Sequence, residues 1–185
     1  MVLNSVRTTL EWTELADPQP GPGEIRVKVL ACGVCRTDLH VIDGELPNPQ
    51  VPIIPGHEIV GRIDAIGRSV QGLRIGERVG IPWLGRTDGT CPYCLMQRET
   101  LCDQPLFTGY TRNGGYATAA VADARFAFPL GEAGSDVALA PRRRAHPHTS
   151  HKMAASCGVC IHSSGRRHEP VLCARHRRNL GRRLG

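Results

Sequence analysis

Aromatic residues are scarce in this chain, at 4% of its 185 residues, and residues 142–185 contain no Phe, Trp or Tyr. A segment without large apolar side chains cannot bury enough area to offset its ordering entropy, so the last quarter is expected to be disordered. Long apolar runs are also missing. No stretch approaches the length that crosses a bilayer, and the N-terminus lacks the charged-then-apolar layout of a secretion signal. The expectation is a cytoplasmic protein with no membrane partner. In that compartment thiols stay reduced, so the eight cysteines point to metal binding or catalysis before disulfides. No G-x-G-x-x-G lies between a strand and a helix, so no dinucleotide-binding turn is legible.

What is present divides in two near Pro141. The net charge of +6 misleads if taken whole, because residues 142–185 carry +10 and residues 1–141 carry −4. Six of the eight histidines also fall in the tail. A nucleic-acid reading drawn from overall basicity would rest on that tail alone. The domain assignment is therefore 1–141 for the folded unit and 142–185 for an Arg/His-rich tail.

Residues 1–141 read as mainly β. "GEIRVKVLAC" alternates Ile25, Val27 and Val29 with polar neighbours and is entered through the rigid turn "PQPGPG", the pattern of a half-buried strand. "HEIVGRIDAIG" and "ERVGIP" predict further short strands, and "GGYATAAVADARFAFPL" two more. Helical signals are confined to one turn at "RTDLH" and a short piece at "YCLMQRET". Many short strands with Gly/Pro turns fit a small barrel or sandwich.

Cysteine pairs spaced C-x-x-C occur three times, and each reads differently. In "ACGVCRTDLH", Cys35 offers a thiolate and His57, in "PGHE", an imidazole. Asp38 is the kind of carboxylate that orients a ligand histidine, and Glu58 could approach the metal or tune its charge. On spacing alone Cys35 reads equally as a small buried residue and His57 as a satisfied strand histidine. Asp88, Cys91, Cys94 and Cys102 in "DGTCPYCLMQRETLC" wrap one loop around one tetrahedral ion with no position left for substrate. Carboxylate in place of a fourth thiolate is chemically acceptable, though harder. The alternative is a lobe that keeps three thiols without a metal. Cys157, Cys160, Cys173 and His176 in the tail have the spacing of a small zinc finger but no aromatic core and no ββα pattern.

The order "GVCRTDLH", "PGHEIVGRIDAIG" and then a cysteine cluster, with "GPGEIRVKV", "GERVGIPW" and "GGYATAAV", resembles the zinc-dependent alcohol dehydrogenases of the medium-chain dehydrogenase/reductase family over about residues 20–141. The resemblance implies a GroES-like, partly open β barrel carrying a zinc-binding lobe. It implies that Cys35 and His57 bind a catalytic zinc, that Thr37 hydrogen-bonds the alcohol oxygen, and that His40 ends a proton relay to solvent. Arg36 takes a position that contacts the cofactor's pyrophosphate, and Asp88, Cys91, Cys94 and Cys102 take those of a structural zinc. NAD(P) is the implied hydride acceptor, and a small alcohol or aldehyde the implied substrate. Cys32 matches no ligand position and reads as a buried strand-end residue. Trp83 and Leu84 read either as pocket lining or as ordinary core.

Two parts of the family pattern are not found: a cysteine shortly after the segment matching "VALAP", which would be the remaining catalytic-zinc ligand, and the Rossmann cofactor domain. The tail's excess of Arg, His, Ser, Cys and Gly is what G/C-rich coding DNA yields when read out of frame. The expectation is a frameshifted tail on a truncated dehydrogenase that is inactive alone, with the structural zinc bound, the catalytic zinc at Cys35 and His57 weak or absent for want of its third ligand, and no nucleic-acid partner. One alternative is a genuine basic tail on a zinc-dependent scaffold that engages nucleic acid. Another is an intact reductase whose cofactor domain comes from another chain.

Overall fold

A computed structural model of the chain describes residues 1–136 and, as backbone only, the segments 159–163 and 170–174. β1 (Glu24–Val34) is the central strand. Along one edge it pairs antiparallel with β2 (Glu58–Ile66), from Ile25 opposite Ile66 to Gly33 opposite Glu58. β3 (Arg78–Ile81) continues the sheet beyond β2. On its other edge β1 pairs through Glu24–Lys28 with β6 (Ala119–Asp123). β7 (Phe128–Pro129) closes on β3. The smaller β4 (Leu84–Arg86) and β5 (Leu106–Phe107) form a separate two-stranded sheet.

The strand order follows from the apolar pattern. Ile25, Val27 and Val29 all point into the core, as their period-2 spacing predicts. They meet Ile59 and Ile63 of β2, Val79 and Ile81 of β3, and Ala120 and Ala122 of β6. Each Ile or Val enclosed there contributes about 1.5–3 kcal/mol of burial. Register shifts at Arg26/Val27 and Val29/Ala31 bend β1, and past them Ala31, Cys32 and Gly33 are all buried. Cys32 is thus the buried strand-end residue the sequence implied.

Short helices punctuate the sheet. α1 (Arg36–Ile42) runs nearly two turns, longer than the single turn expected from "RTDLH". Its N-cap is Cys35, whose Sγ accepts from the Thr37 backbone N–H, while the Asp38 carboxylate reaches back to the Cys35 N–H. Cysteine is not among the usual caps, so the sequence under-signals this helix. α2 (Pro92–Leu95) and a 3₁₀ turn at Glu99–Leu101 lie in a loop whose two ends are tied together by β4 and β5.

Arg78 is buried, with its guanidinium beneath the chain that follows β7. Its Nε lies 2.9 Å from Asp136 Oδ1 and one terminal nitrogen donates to the Gly134 carbonyl at 3.0 Å.

In the tail, β8 (Val159–Ser163) lies along β1 from Ala31 to Val34, and β9 (Pro170–Ala174) pairs with β8. The expectation of disorder over the rest of 142–185, and the disfavoured zinc-finger spacing that would need Cys157 and His176, lie outside the described residues. No helix among the described residues is long and apolar enough to cross a membrane.

Candidate functional site

The antiparallel register explains how two residues 22 positions apart meet. Gly33, near the end of β1, faces Glu58, the first residue of β2. Cys35 follows β1 and His57 precedes β2, so both stand at one end of the same ladder. Cys35 Sγ lies 3.3 Å from His57 Nε2. Glu58 Oε1 lies 3.9 Å from the same nitrogen, and its side chain covers Gly33, where a Cβ would collide with the carboxylate. A tetrahedral zinc with ordinary bond lengths separates sulfur from nitrogen by about 3.5 Å. The ligand atoms of Cys35, His57 and Glu58 all lie within 4.8 Å of one another, so the donor set fits one divalent ion.

Asp38 organises this cluster from beneath. It is 2% exposed and accepts three hydrogen bonds, from Cys35 N at 2.9 Å, Gly56 N at 3.2 Å and His57 Nδ1 at 3.0 Å. With Nδ1 engaged, Nε2 is the nitrogen left facing Cys35 and Glu58. Burial alone would lower the His57 pKa, but Asp38 and then Cys35 outweigh it and raise it to about 10. Burial would likewise raise the Cys35 thiol, yet the bonds from His57 and Thr37 bring it below its usual value. Without a metal, the same contacts favour the charged forms of both His57 and Cys35, and a bound ion would take the place of the proton on His57.

Around it, the elements sort the remaining residues. Thr37 is half-buried in the first turn of α1, and Arg36 is exposed at the same end. His40 lies one turn further on, its Nδ1 against Glu45 Oε2. Residues three apart on a helix share a face, so Thr37 and His40 form a line from the cluster outward. Trp83 turns its edge to the His57 ring at 5.1 Å and stacks on Phe107 and Tyr110 at 4.9 and 5.8 Å. That aromatic wall shields the imidazole from water. Spacing could not reveal it, because Phe107 and Tyr110 arrive through the β4–β5 pairing.

The second cluster sits in the loop above β4 and β5. Asp88, Cys91, Cys94 and Cys102 bring their ligand atoms within 4.8 Å of one another. Asp88 Oδ1 accepts from Thr90 N and Cys91 N at 2.7 and 2.9 Å, and Cys102 donates its thiol proton to Oδ2 at 3.2 Å. The N–H of Cys91 and then that of Thr90 hold the Asp88 carboxyl well below its usual range. Burial, followed by Cys91, pushes the Cys94 thiol up to about 12. Cys102 Sγ also accepts from the N–H groups of Asp88 and Gln104, each at 3.4 Å. Backbone donors aimed at a sulfur are the support a thiolate ligand needs, so this set too fits a closed four-ligand metal site.

Tyr116 is the residue that sequence reasoning passed over. Its ring lies on Gly56, where an added Cβ would stand 2.5 Å from Tyr116 Cδ1, and Gly56 has φ +95°. Both the close approach and the backbone angle require glycine there.

Comparison with known proteins supplies the family context. Residues 21–132 match the family model described as the alcohol dehydrogenase GroES-like domain. An alcohol dehydrogenase of Geobacillus stearothermophilus is 43% identical over 141 residues, covering 76% of this chain and 42% of that protein. A probable alcohol dehydrogenase of Mycobacterium tuberculosis is 47% identical over 129 residues, covering 67% of this chain and 37% of that one. Among solved structures, a cobalt- and zinc-bound thermostable alcohol dehydrogenase from Pyrobaculum aerophilum superposes with a TM-score of 0.64 at 30% identity, over 69% of this chain and 40% of that one. The chain thus spans about two fifths of the length of these relatives, and nothing in the matches points to a nucleic-acid partner.

Proposed function

Because the chain belongs to the alcohol dehydrogenase GroES-like domain family, we propose that it forms the metal- and alcohol-binding half of a zinc-dependent alcohol dehydrogenase site. Oxidation of an alcohol to an aldehyde or ketone with NAD(P) is the reaction it would serve. The observation that carries this reading is the convergence of Cys35 Sγ, His57 Nε2 and the Glu58 carboxylate, with His57 Nδ1 held by Asp38.

In this reading Cys35, His57 and Glu58 hold the zinc. The bound ion would supply Lewis acidity that lowers the pKa of an alcohol hydroxyl. The chain's own residues do the rest. Asp38 fixes the ring orientation of His57, and Trp83 keeps water from it. The Thr37 hydroxyl accepts the proton of the alcohol and passes it along the α1 face to His40, which stands near solvent with Glu45 as partner. Arg36, exposed at the start of α1, offers a cation to the cofactor's pyrophosphate. Asp88, Cys91, Cys94 and Cys102 hold a second, structural zinc. The folded unit is 1–141, with 142–185 as a tail outside the family pattern.

The test is metal replacement. Loading the purified chain with Co²⁺ should give two equivalents, with thiolate–cobalt absorption from both centres. His57→Ala should remove one equivalent and leave the other. A single equivalent that His57→Ala does not disturb would refute the catalytic-metal reading.

A further inference from the structure

The hydroxyl of Tyr116 is a conspicuous polar group near the Cys35/His57 centre. Tyr116 is 5% exposed, and its hydroxyl oxygen is enclosed without a hydrogen bond of normal geometry. An enclosed hydroxyl without a partner is destabilising, so an isosteric Phe would serve better if only packing mattered.

The surroundings indicate what the hydroxyl is for. The Gly114–Tyr116 stretch is laced to the segment before His57 by three backbone hydrogen bonds, Gly114 N to Ile54 O at 2.7 Å, Gly115 N to Gly56 O at 2.8 Å and Tyr116 N to Pro55 O at 3.0 Å. The terminal ammonium of Met1 adds a bond to Tyr116 O at 2.7 Å. The backbone on both sides of the ring is therefore fixed, and the ring rests on Gly56, whose N–H donates to Asp38. Burial and then Asp38 raise the Tyr116 phenol above its ordinary pKa, so it stays a proton donor. An ionised carboxylate has about four acceptor positions, and Asp38 uses three, on Cys35 N, Gly56 N and His57 Nδ1.

We propose that Tyr116 is a positioning residue of this centre, its hydroxyl acting as the fourth donor to the Asp38 carboxylate in the metal-loaded site, an inference that rests on reading Cys35 and His57 as metal ligands. It acts on the imidazole through Asp38 and touches neither the metal nor the substrate. Two segments of the fold, the one leading into β2 that carries His57 and the one leading into β6 that carries Tyr116, would then hold the same carboxylate.

The experiment uses the full chain and Co²⁺ as probe. The signal of the Cys35/His57 centre is isolated by difference from Cys35→Ser, in which serine retains the helix cap. Tyr116→Phe should weaken Co²⁺ binding at this centre by roughly 10-fold, the usual effect of losing an outer partner of a ligand histidine. It should also alter the d–d bands, leave the affinity of the Asp88/Cys91/Cys94/Cys102 centre unchanged, and not lower the thermal midpoint. Unchanged affinity and spectrum in Tyr116→Phe would overturn the proposal. So would an equal loss at both centres with a lowered midpoint, which is the mark of a purely structural role. If the unsubstituted chain gives no Cys35-dependent cobalt signal, the metal reading itself falls and takes the proposal with it.

Discussion

Asp38→Asn removes one negative charge from beneath the Cys35/His57 cluster and changes almost no volume, which makes its cost calculable. The carboxylate accepts from Cys35 N, Gly56 N and His57 Nδ1. An Asn carbonyl placed at the Oδ1 position keeps the last two but turns its NH₂ toward Cys35 N, donor against donor. That mismatch costs about 1–3 kcal/mol. Breaking the buried Asp38–His57 pair raises the total to about 3–5 kcal/mol near neutral pH, a large share of a domain's 5–15 kcal/mol.

The pH dependence separates the two contributions. The folded His57 pKa of about 10 lies above the ordinary 6.5, so the stability it confers is complete below pH 6.5 and lost as pH rises through 10. Asp38→Asn withdraws the larger of the two attractions that raise it. Urea unfolding of the metal-free chain and of Asp38→Asn should therefore differ most below pH 6.5 and still differ clearly at pH 7. The difference should contract toward the hydrogen-bond part as pH approaches 10. A difference that stays constant over that range, or is absent at pH 7, would refute the assignment of Asp38 as the charged partner of His57.

Gly56→Ala places a Cβ 2.5 Å from the Tyr116 ring at φ +95°, and backbone strain plus overpacking should cost about 2–6 kcal/mol in urea titration; wild-type stability would mean the Tyr116 ring can yield. In the lobe, Asp88→Ala should lower zinc retained after dialysis by one equivalent per chain, whereas Asp88→Cys, with a softer ligand, should hold it more tightly. Equal retention in all three would exclude Asp88 as a ligand. Zinc binding at Cys35/His57 needs a neutral imidazole and a thiolate, so affinity should climb at least tenfold per pH unit above 7 while His57 holds its proton, with at least one proton released per ion at neutral pH. Calorimetry in buffers of different ionisation enthalpy reads that proton, and a pH-independent affinity would contradict the raised His57 pKa.

Much of the framework was legible because it rests on local pattern. Ile25, Val27 and Val29 alternate, and the strand they predict is β1; the Gly-marked runs after His57 and Glu77 gave β2 and β3. The Asp88–Cys102 cluster was legible for the same reason, since its ligands share one loop. Cys35 and His57 were legible as a pair only through the order of motifs that carries the family resemblance, because their proximity comes from the Gly33–Glu58 register, a long-range fact that spacing does not encode. The length of α1 escaped notice because its cap is a cysteine. Tyr116 and the Trp83, Phe107 and Tyr110 stack escaped for a related reason: an aromatic in a strand pattern reads as core until its neighbours are known.

Cys35 has two tasks in this fold, and they cannot be separated by a reagent that modifies sulfur. The same Sγ that faces His57 Nε2 accepts the Thr37 N–H that starts α1. Alkylation would block the ligand and, in the same stroke, unfasten the helix that carries Thr37 and His40. On the proposed reading a thiol reagent would then disturb the Thr37 and His40 face as well, and amide exchange at Thr37 and Asp38 would quicken in step with any loss of bound Co²⁺. Serine substitution divides the two tasks, keeping the helix fastened while giving up the soft ligand.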